Sequence, residues 1–234
     1  MKTIGLIGGM SCESTALYYD QLNKGVRARL GGLNSAPVLL WSVNFAEIVA
    51  LQKAGDWDEA GRRLAGIARR LEGAGAEVVA LATNTMHKVA EPIQEALTVP
   101  FLHIGDAAAA ALARDGRRRP GLLATAYTME QSFYLDRLRA AGLAPLVPPA
   151  QDRAAIQRAI FEELCQGIVT PETRRAFQDF AAGLEAEGAD SLILGCTEIC
   201  MALKPGETRA PLYDTTALHV EALLDASLGP ARAA

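Results

Sequence analysis

The chain has 234 residues, is 50% hydrophobic and 21% charged, and carries a formal net charge of −4. Half-apolar composition at this length buries a sizeable core and excludes a disordered chain. No apolar run approaches the ~20 residues that span a bilayer, so no membrane partner is expected. The acidic balance weighs against nucleic acid as a partner. The N-terminus, Met1-Lys2-Thr3-Ile4-Gly5, runs straight into an apolar strand and lacks the apolar region and cleavage site of a secretory signal, so a cytoplasmic chain is expected. Cysteines stand at 12, 165, 196 and 200 and the three histidines are scattered, which completes neither a disulfide framework nor a zinc pattern. No metal is expected, and any special cysteine is a candidate for thiol chemistry.

Strand-like and helical patterns alternate along the chain. Thr3 to Ile7 reads as a first strand ended by Gly8-Gly9, and residues 13–30 as a helix. Pro37 to Val43 reads as a second, buried strand. Trp57, Ala60, Leu64, Ile67 and Leu71 recur at spacings of three and four, one face of a helix that Gly73 and Gly75 stop. Glu77 to Ala82 is a third apolar strand. In the second half Gly121 to Thr125 reads as a strand, Ile156, Ile160 and Leu164 mark one helix, and Phe177, Phe180, Ala181 and Leu184 mark another. Asp190 to Gly195 is again a buried strand. Apolar runs separated by helices predict an α/β fold with parallel sheets covered on both faces.

The halves can be laid over one another. At an offset of 113 residues, G-A-E-V-V-A-L-A-T-N-T (75–85) lies over G-A-D-S-L-I-L-G-C-T-E (188–198). At an offset of 116, G-L-I-G-G (5–9) lies over G-L-L-A-T (121–125), and Tyr18-x-Asp20-x-Leu22 over Tyr134-x-Asp136-x-Leu138. Two matches in the same order predict a repeated unit: two pseudo-symmetric lobes, 1–115 and 116–234, the C-terminal helix returning to the first, with a cleft between them. Ligands of open α/β sheets bind at the carboxyl ends of strands. The overlay sets Thr83 opposite Cys196, each between a strand and a helix-like segment. Backbone N–H groups and threonine hydroxyls at such a turn form a carboxylate cradle, and a helix N-terminus there would favour thiolate. Two proton-handling groups facing one carbon is the geometry for inverting a stereocentre. Gly8 and Gly9 do not complete a G-x-G-x-x-G, so no nucleotide site is expected.

G-G-M-S-C-E-S-T (8–15), A-T-N-T-M-H-K (82–88), A-T-A-Y-T-M-E-Q (124–131) and G-C-T-E-I (195–199) resemble the aspartate/glutamate racemases over nearly the whole chain. The resemblance implies two α/β lobes, no PLP or other cofactor, a small amino-acid substrate, a homodimer, and a cysteine from each lobe at the substrate Cα. Thr83 stands where most of the family has the first cysteine, and Cys196 fills the second place. That pairing, with F-E-E-L-C (161–165), is similar to an enterobacterial branch of L-aspartate/glutamate-specific racemases. Thr83 and Cys196 are therefore the expected catalytic pair, with Asn84, Thr85, Thr125, Thr128 and Thr197 binding carboxylate and Glu198 orienting the ammonium group or Cys196. Archaeal aspartate racemases grip the distal carboxylate with an arginine and a lysine. The matching stretches here, 43–48 and 161–167, contain neither, leaving Met10, Gln52 and backbone groups for that task. Cys12, Cys165 and Cys200 are expected to be packing residues, and His87, His103 and His219 structural ones. Three other readings fit the same motifs: a single-cysteine decarboxylase of the superfamily, a broad-specificity amino-acid racemase, and a non-catalytic amino-acid-binding relative.

Overall fold

In the computed structural model, which describes residues 1–229, the first apolar run becomes strand β1 (Ile4–Gly8), buried at every residue. Helix α1 (Cys12–Leu30) follows, capped by Ser11, whose hydroxyl oxygen accepts from the Ser14 N–H at 3.2 Å. Then come β2 (Val38–Ser42), α2 (Phe45–Ala54), α3 (Trp57–Gly73) and β3 (Val78–Leu81). A 3-10 turn (Thr85–Val89), α4 (Ala90–Glu95) and β4 (Phe101–Leu102) close this half. The strands are all parallel, in the order β2-β1-β3-β4. The predicted face of α3 is buried through Ala60, Leu64, Ile67 and Leu71.

The second half contains α5 (Ile104–Arg114), β5 (Pro120–Ala124), α6 (Ala126–Glu130), α7 (Ser132–Ala140) and α8 (Ala150–Glu162). A 3-10 turn (Leu164–Gln166), α9 (Pro171–Ala186), β6 (Ser191–Gly195), α10 (Ile199–Ala202) and β7 (Leu212–Asp214) follow. This sheet is also parallel, in the order β5-β6-β7. Helix α11 (Thr215–Leu228) ends the described chain. Two sheets flanked by helices make the α/β fold that the alternating pattern predicts.

Two units emerge: Met1–His103 with the residues from His219 onward, and Ile104–Leu218. Each last strand is thus followed by a helix that belongs to the other unit. Val220, Leu223 and Leu224 of α11 join the core of Tyr18, Leu22 and Val26 on α1. Ile104, Ala109 and Leu112 of α5 join the core of Tyr134 and Leu138 on α7. An expected lobe boundary at 115 places α5 in the first lobe, whereas its apolar face packs in the second unit.

The register carries the internal repeat further than the sequence does. Gly5 pairs with Val79 and Gly121 with Leu192, so the two offsets, found separately, fall together in one sheet pattern. A Cβ on Gly5 would lie 3.2 Å from Val79 and 3.3 Å from Leu71. A Cβ on Gly121 would lie 3.0 Å from Leu192 and 3.1 Å from Leu184, the matching pair of residues. Both glycines exist because a helix crosses the strand too closely for a side chain.

Two expectations need correction. The run 37–43 forms a strand, but β2 lies at the sheet edge, where Leu40 is 47% and Trp41 37% exposed. An apolar run does not reveal that one flank lacks a neighbour, and here Arg70 covers Trp41, its guanidinium carbon 5.3 Å from the ring centre. The 156–164 periodicity also overruns its helix: α8 stops at Glu162 and Leu164 lies in the following 3-10 turn.

Candidate active site

β3 runs at its carboxyl end into Ala82-Thr83-Asn84 and the 3-10 turn. Thr83 is partly exposed, while Asn84 and Thr85 are buried. The start of α1 is fastened to the same place: the Ser14 hydroxyl donates to the Ala82 carbonyl at 3.2 Å. Thr15 accepts from the Gly9 N–H at 2.8 Å and donates to the Ser11 carbonyl at 2.7 Å. Gly9 has φ +85°, and a Cβ there would meet the Val43 carbonyl oxygen at 2.4 Å, so this approach requires glycine. Gln52 is buried on α2 and its amide nitrogen donates to Met86 Sδ at 3.0 Å. Met10 is buried in the apolar core that includes Ile48 and Leu64.

His87 Nδ1 lies 2.7 Å from the carbonyl oxygen of Thr83. A carbonyl only accepts, so Nδ1 carries the proton. The segment expected to begin a helix here is a single 3-10 turn, and its His87 N–H bonds back to the Asn84 carbonyl at 3.1 Å. The turn is fixed by side chains more than by a helix dipole, which needs aligned peptides over several turns.

β6 delivers Cys196, Thr197 and Glu198 at its own carboxyl end. Glu198 is buried, and its Oε2 accepts from Cys196 Sγ at 2.8 Å and from Thr197 Oγ1 at 2.6 Å. Burial pushes the Cys196 thiol well above its ordinary pKa, and the charge and hydrogen bond of Glu198 and the nearby Cys165 add to the shift. The expected resting thiolate is therefore replaced by a thiol. α10 has four residues and starts only at Ile199, so its dipole is too small to offset the adjacent carboxylate. Thr125 and Thr128, both buried, share a hydroxyl–hydroxyl hydrogen bond of 3.2 Å after β5. The Ala126 N–H beside them is taken by Gln157 Oε1 at 2.8 Å, an acceptor that no motif pointed to.

The structure thus assembles Thr83, Asn84 and Thr85 in one turn with Gln52 reaching Met86, joins Cys196, Thr197 and Glu198 through one carboxylate oxygen, and joins Thr125 to Thr128. Cys165 and Cys200 pack against the second core as expected, and burial with Asp214 pushes the Cys200 thiol up. Cys12 does not pack: it is exposed at the first position of α1, whose buried face begins with Ser14 and Thr15. Among the described residues no helix is long and apolar enough to cross a membrane, and no cluster of three His, Cys, Asp or Glu side chains is placed to hold a metal ion.

Comparison with known proteins places these features in context. The sequence model of the Asp/Glu/hydantoin racemase family matches residues 7–223. The chain is 47% identical to an Asp/Glu racemase homologue of Yersinia pestis, with a TM-score of 0.93 over 97% of this chain and 100% of the other. It is 33% identical to an aspartate racemase homologue of Pyrococcus horikoshii, with a TM-score of 0.86 over 97% of this chain and 99% of the other. It is 24% identical to the broad specificity amino-acid racemase RacX of Bacillus subtilis over 92% of this chain and 93% of that protein.

Proposed function

The chain belongs to the Asp/Glu/hydantoin racemase family, and from that premise we propose that it is a cofactor-independent racemase of aspartate and glutamate in which Cys196 and Thr83 serve opposite faces of Cα. The observation that carries the reading is the equivalence of two turns: Thr83-Asn84-Thr85 after β3 and Cys196-Thr197-Glu198 after β6 end paired strands of matching register.

The Cα proton of an amino acid is very weakly acidic, so charge spreading onto the carboxylate has to be stabilised by fixed donors. Asn84, Thr85, Thr197, Thr125 and Thr128 are the groups suited to this. Cys196 rests as a thiol, so it can deliver a proton to a carbanion at once. To abstract one it must first lose its own, and Glu198, 2.8 Å away, is placed to take it. A threonine hydroxyl is too weak an acid and base to work unassisted; Thr83, or a water it holds, relays a solvent proton to the opposite face. The two directions of the reaction then differ in their demands.

A broad-specificity racemase is the second reading, and one observation favours it. Gln52 already donates to Met86, and residues 43–48 and 161–167 contain no arginine or lysine to fix a distal carboxylate. Chiral chromatography after incubation with each enantiomer of aspartate, glutamate, alanine and lysine separates the two. Turnover of the acidic pair alone supports the first, equal turnover of alanine and lysine supports the second, and no turnover of any of them overturns both.

A further inference from the structure

All three histidines of the chain, 16 and 116 residues apart in sequence, gather in the first unit. His87, His103 and His219 are 2%, 4% and 0% exposed. The ring centres of His87 and His103 lie 4.3 Å apart, edge to face, and those of His87 and His219 5.9 Å apart. His219 Nε2 is 2.9 Å from the Leu102 carbonyl oxygen, which can only accept, so Nε2 carries the proton. Burial keeps this ring neutral, and its bare Nδ1 then accepts from the Tyr18 hydroxyl at 2.8 Å. The chain of contacts runs from α1 through α11 to β4, and from there through His103 and His87 to the Thr83 carbonyl.

A buried imidazole cluster is costly to assemble unless each ring has a task, since each carries two polar nitrogens that need partners. Here the tasks are legible. His219 ties the last helix to the end of β4, His103 continues from that strand end, and His87 closes on the peptide of Thr83. No ring stands within reach of solvent protons and the last link is a backbone carbonyl, so the cluster does not carry protons to the Thr83 hydroxyl. From these contacts we infer that the histidine cluster is a positioning device for the Thr83 turn, with His87 as the residue that sets the orientation of the Thr83 peptide. Its catalytic consequence rests on the proposal that Thr83 serves one face of Cα. A misplacement of about 1 Å at such a group costs about 100-fold in rate.

Two measurements on the intact chain test the inference. Histidine nitrogen NMR of the wild type, with only three imidazoles to assign, should show Nδ1–H on His87 and Nε2–H on His219. The amide resonances of Asn84 and Thr85 should shift in His87→Phe and return toward wild type in His87→Asn, whose Nδ2 stands where Nδ1 stood. An Nε2–H tautomer on His87, or unmoved Asn84 and Thr85 amides in folded His87→Phe, overturns the inference whether or not the protein is a racemase. The second measurement follows Cα deuterium exchange and inversion of aspartate together in D₂O. In His87→Phe inversion should fall by at least ~10-fold while exchange through the Cys196 side persists, with recovery in His87→Asn. A parallel fall of exchange and inversion in folded His87→Phe contradicts a role confined to Thr83. Absence of both reactions in the wild type removes the racemase reading and leaves the NMR arm to decide this one.

Discussion

Beside β1 the first half has a five-residue edge strand, β2; beside β5 the second half has a single bridge, Leu146 to Gly121. The Leu146 N–H and carbonyl bond to Pro120 and Leu122 at 2.8 Å each, as a strand would, but Pro145, Pro148 and Pro149 stop the ladder from extending. The first-half helix carries Tyr18 and the second-half helix Tyr134, both with no exposed surface. Tyr18 donates to His219, whereas the Tyr134 hydroxyl has no partner among the described residues. The registers of β4 and β7 explain this: Phe101 pairs with Val79 as Leu212 pairs with Leu192, which places Ala108 where the other half has His219. Burial, and with it the charge of Asp106, pushes the Tyr134 phenol up, so the group stays protonated and its O–H is left without an acceptor among the described residues. One scaffold occurs twice, and the chemistry hung on it has diverged. The turn after β3 is braced by the His87 ring, and the turn after β6 carries the carboxylate of Glu198 against the thiol.

The largest effect expected from breaking this comparison is at Cys196. Cys196→Ser should lower racemisation by about 10²–10⁴-fold, the usual contribution of a positioned acid or base. Thermal unfolding should change little, because the serine hydroxyl can still donate to Glu198. Cys165→Ser should change turnover much less, and a complete loss there would move the proton-handling role to Cys165.

His219 gives the next effect, in stability. Its folded pKa is drawn down to about 4 by burial, below its ordinary value. Between that value and its ordinary one the unfolded chain binds a proton that the folded chain does not, so stability falls as pH drops through this window and levels off below it. The shift corresponds to about 3 kcal/mol. Urea titrations of the wild type and His219→Asn at pH 7 and pH 4.5 should show the wild type losing more on acidification. Equal losses would mean that His219 is not the buried neutral base.

The two tyrosines sharpen the contrast at smaller cost. Tyr18→Phe strands the bare Nδ1 of His219 and should cost about 1–3 kcal/mol, whereas Tyr134→Phe removes an unpartnered hydroxyl and should be neutral or stabilising by about 1 kcal/mol. Denaturant midpoints decide it, and equal losses in both variants would show that Tyr134 has a partner. The smallest change concerns charge alone. Glu198→Gln should lower the pH at which Cys196 ionises, read from the pH dependence of its alkylation by iodoacetamide, because it removes the negative charge that favours the thiol. An unchanged or raised titration would contradict the contact between the two side chains.

Much of this was legible in the sequence. The apolar runs 3–7, 77–82, 121–125 and 190–195 point to the strands that form at 4–8, 78–81, 120–124 and 191–195, and the overlay of the two halves points to the turns at Thr83 and Cys196. What escaped depended on contacts between distant segments. The edge position of β2 depends on which strand lies beside it, and no local pattern records that. The histidine cluster has no spacing signal because its members come from a turn, a strand end and the last helix. Gln157 reaches Ala126 from α8, 31 residues away. The thiol state of Cys196 is not legible in G-C-T-E-I, which reads as a helix start, because it depends on the glutamate folding back onto the sulfur.

The most direct test of divergent chemistry on a repeated scaffold is the wild-type chain in D₂O, offered L- and D-aspartate separately, with Cα exchange and inversion followed in single turnovers. The proposed mechanism, with the thiol–carboxylate pair serving one face of Cα and Thr83 the other, predicts two unequal directions: one enantiomer should exchange its Cα proton faster than it inverts, the other should show exchange only as it inverts. Equal rates and equal exchange-to-inversion ratios from both enantiomers would mean that Thr83 and Cys196 do equivalent work, and would contradict the asymmetry drawn between the two turns.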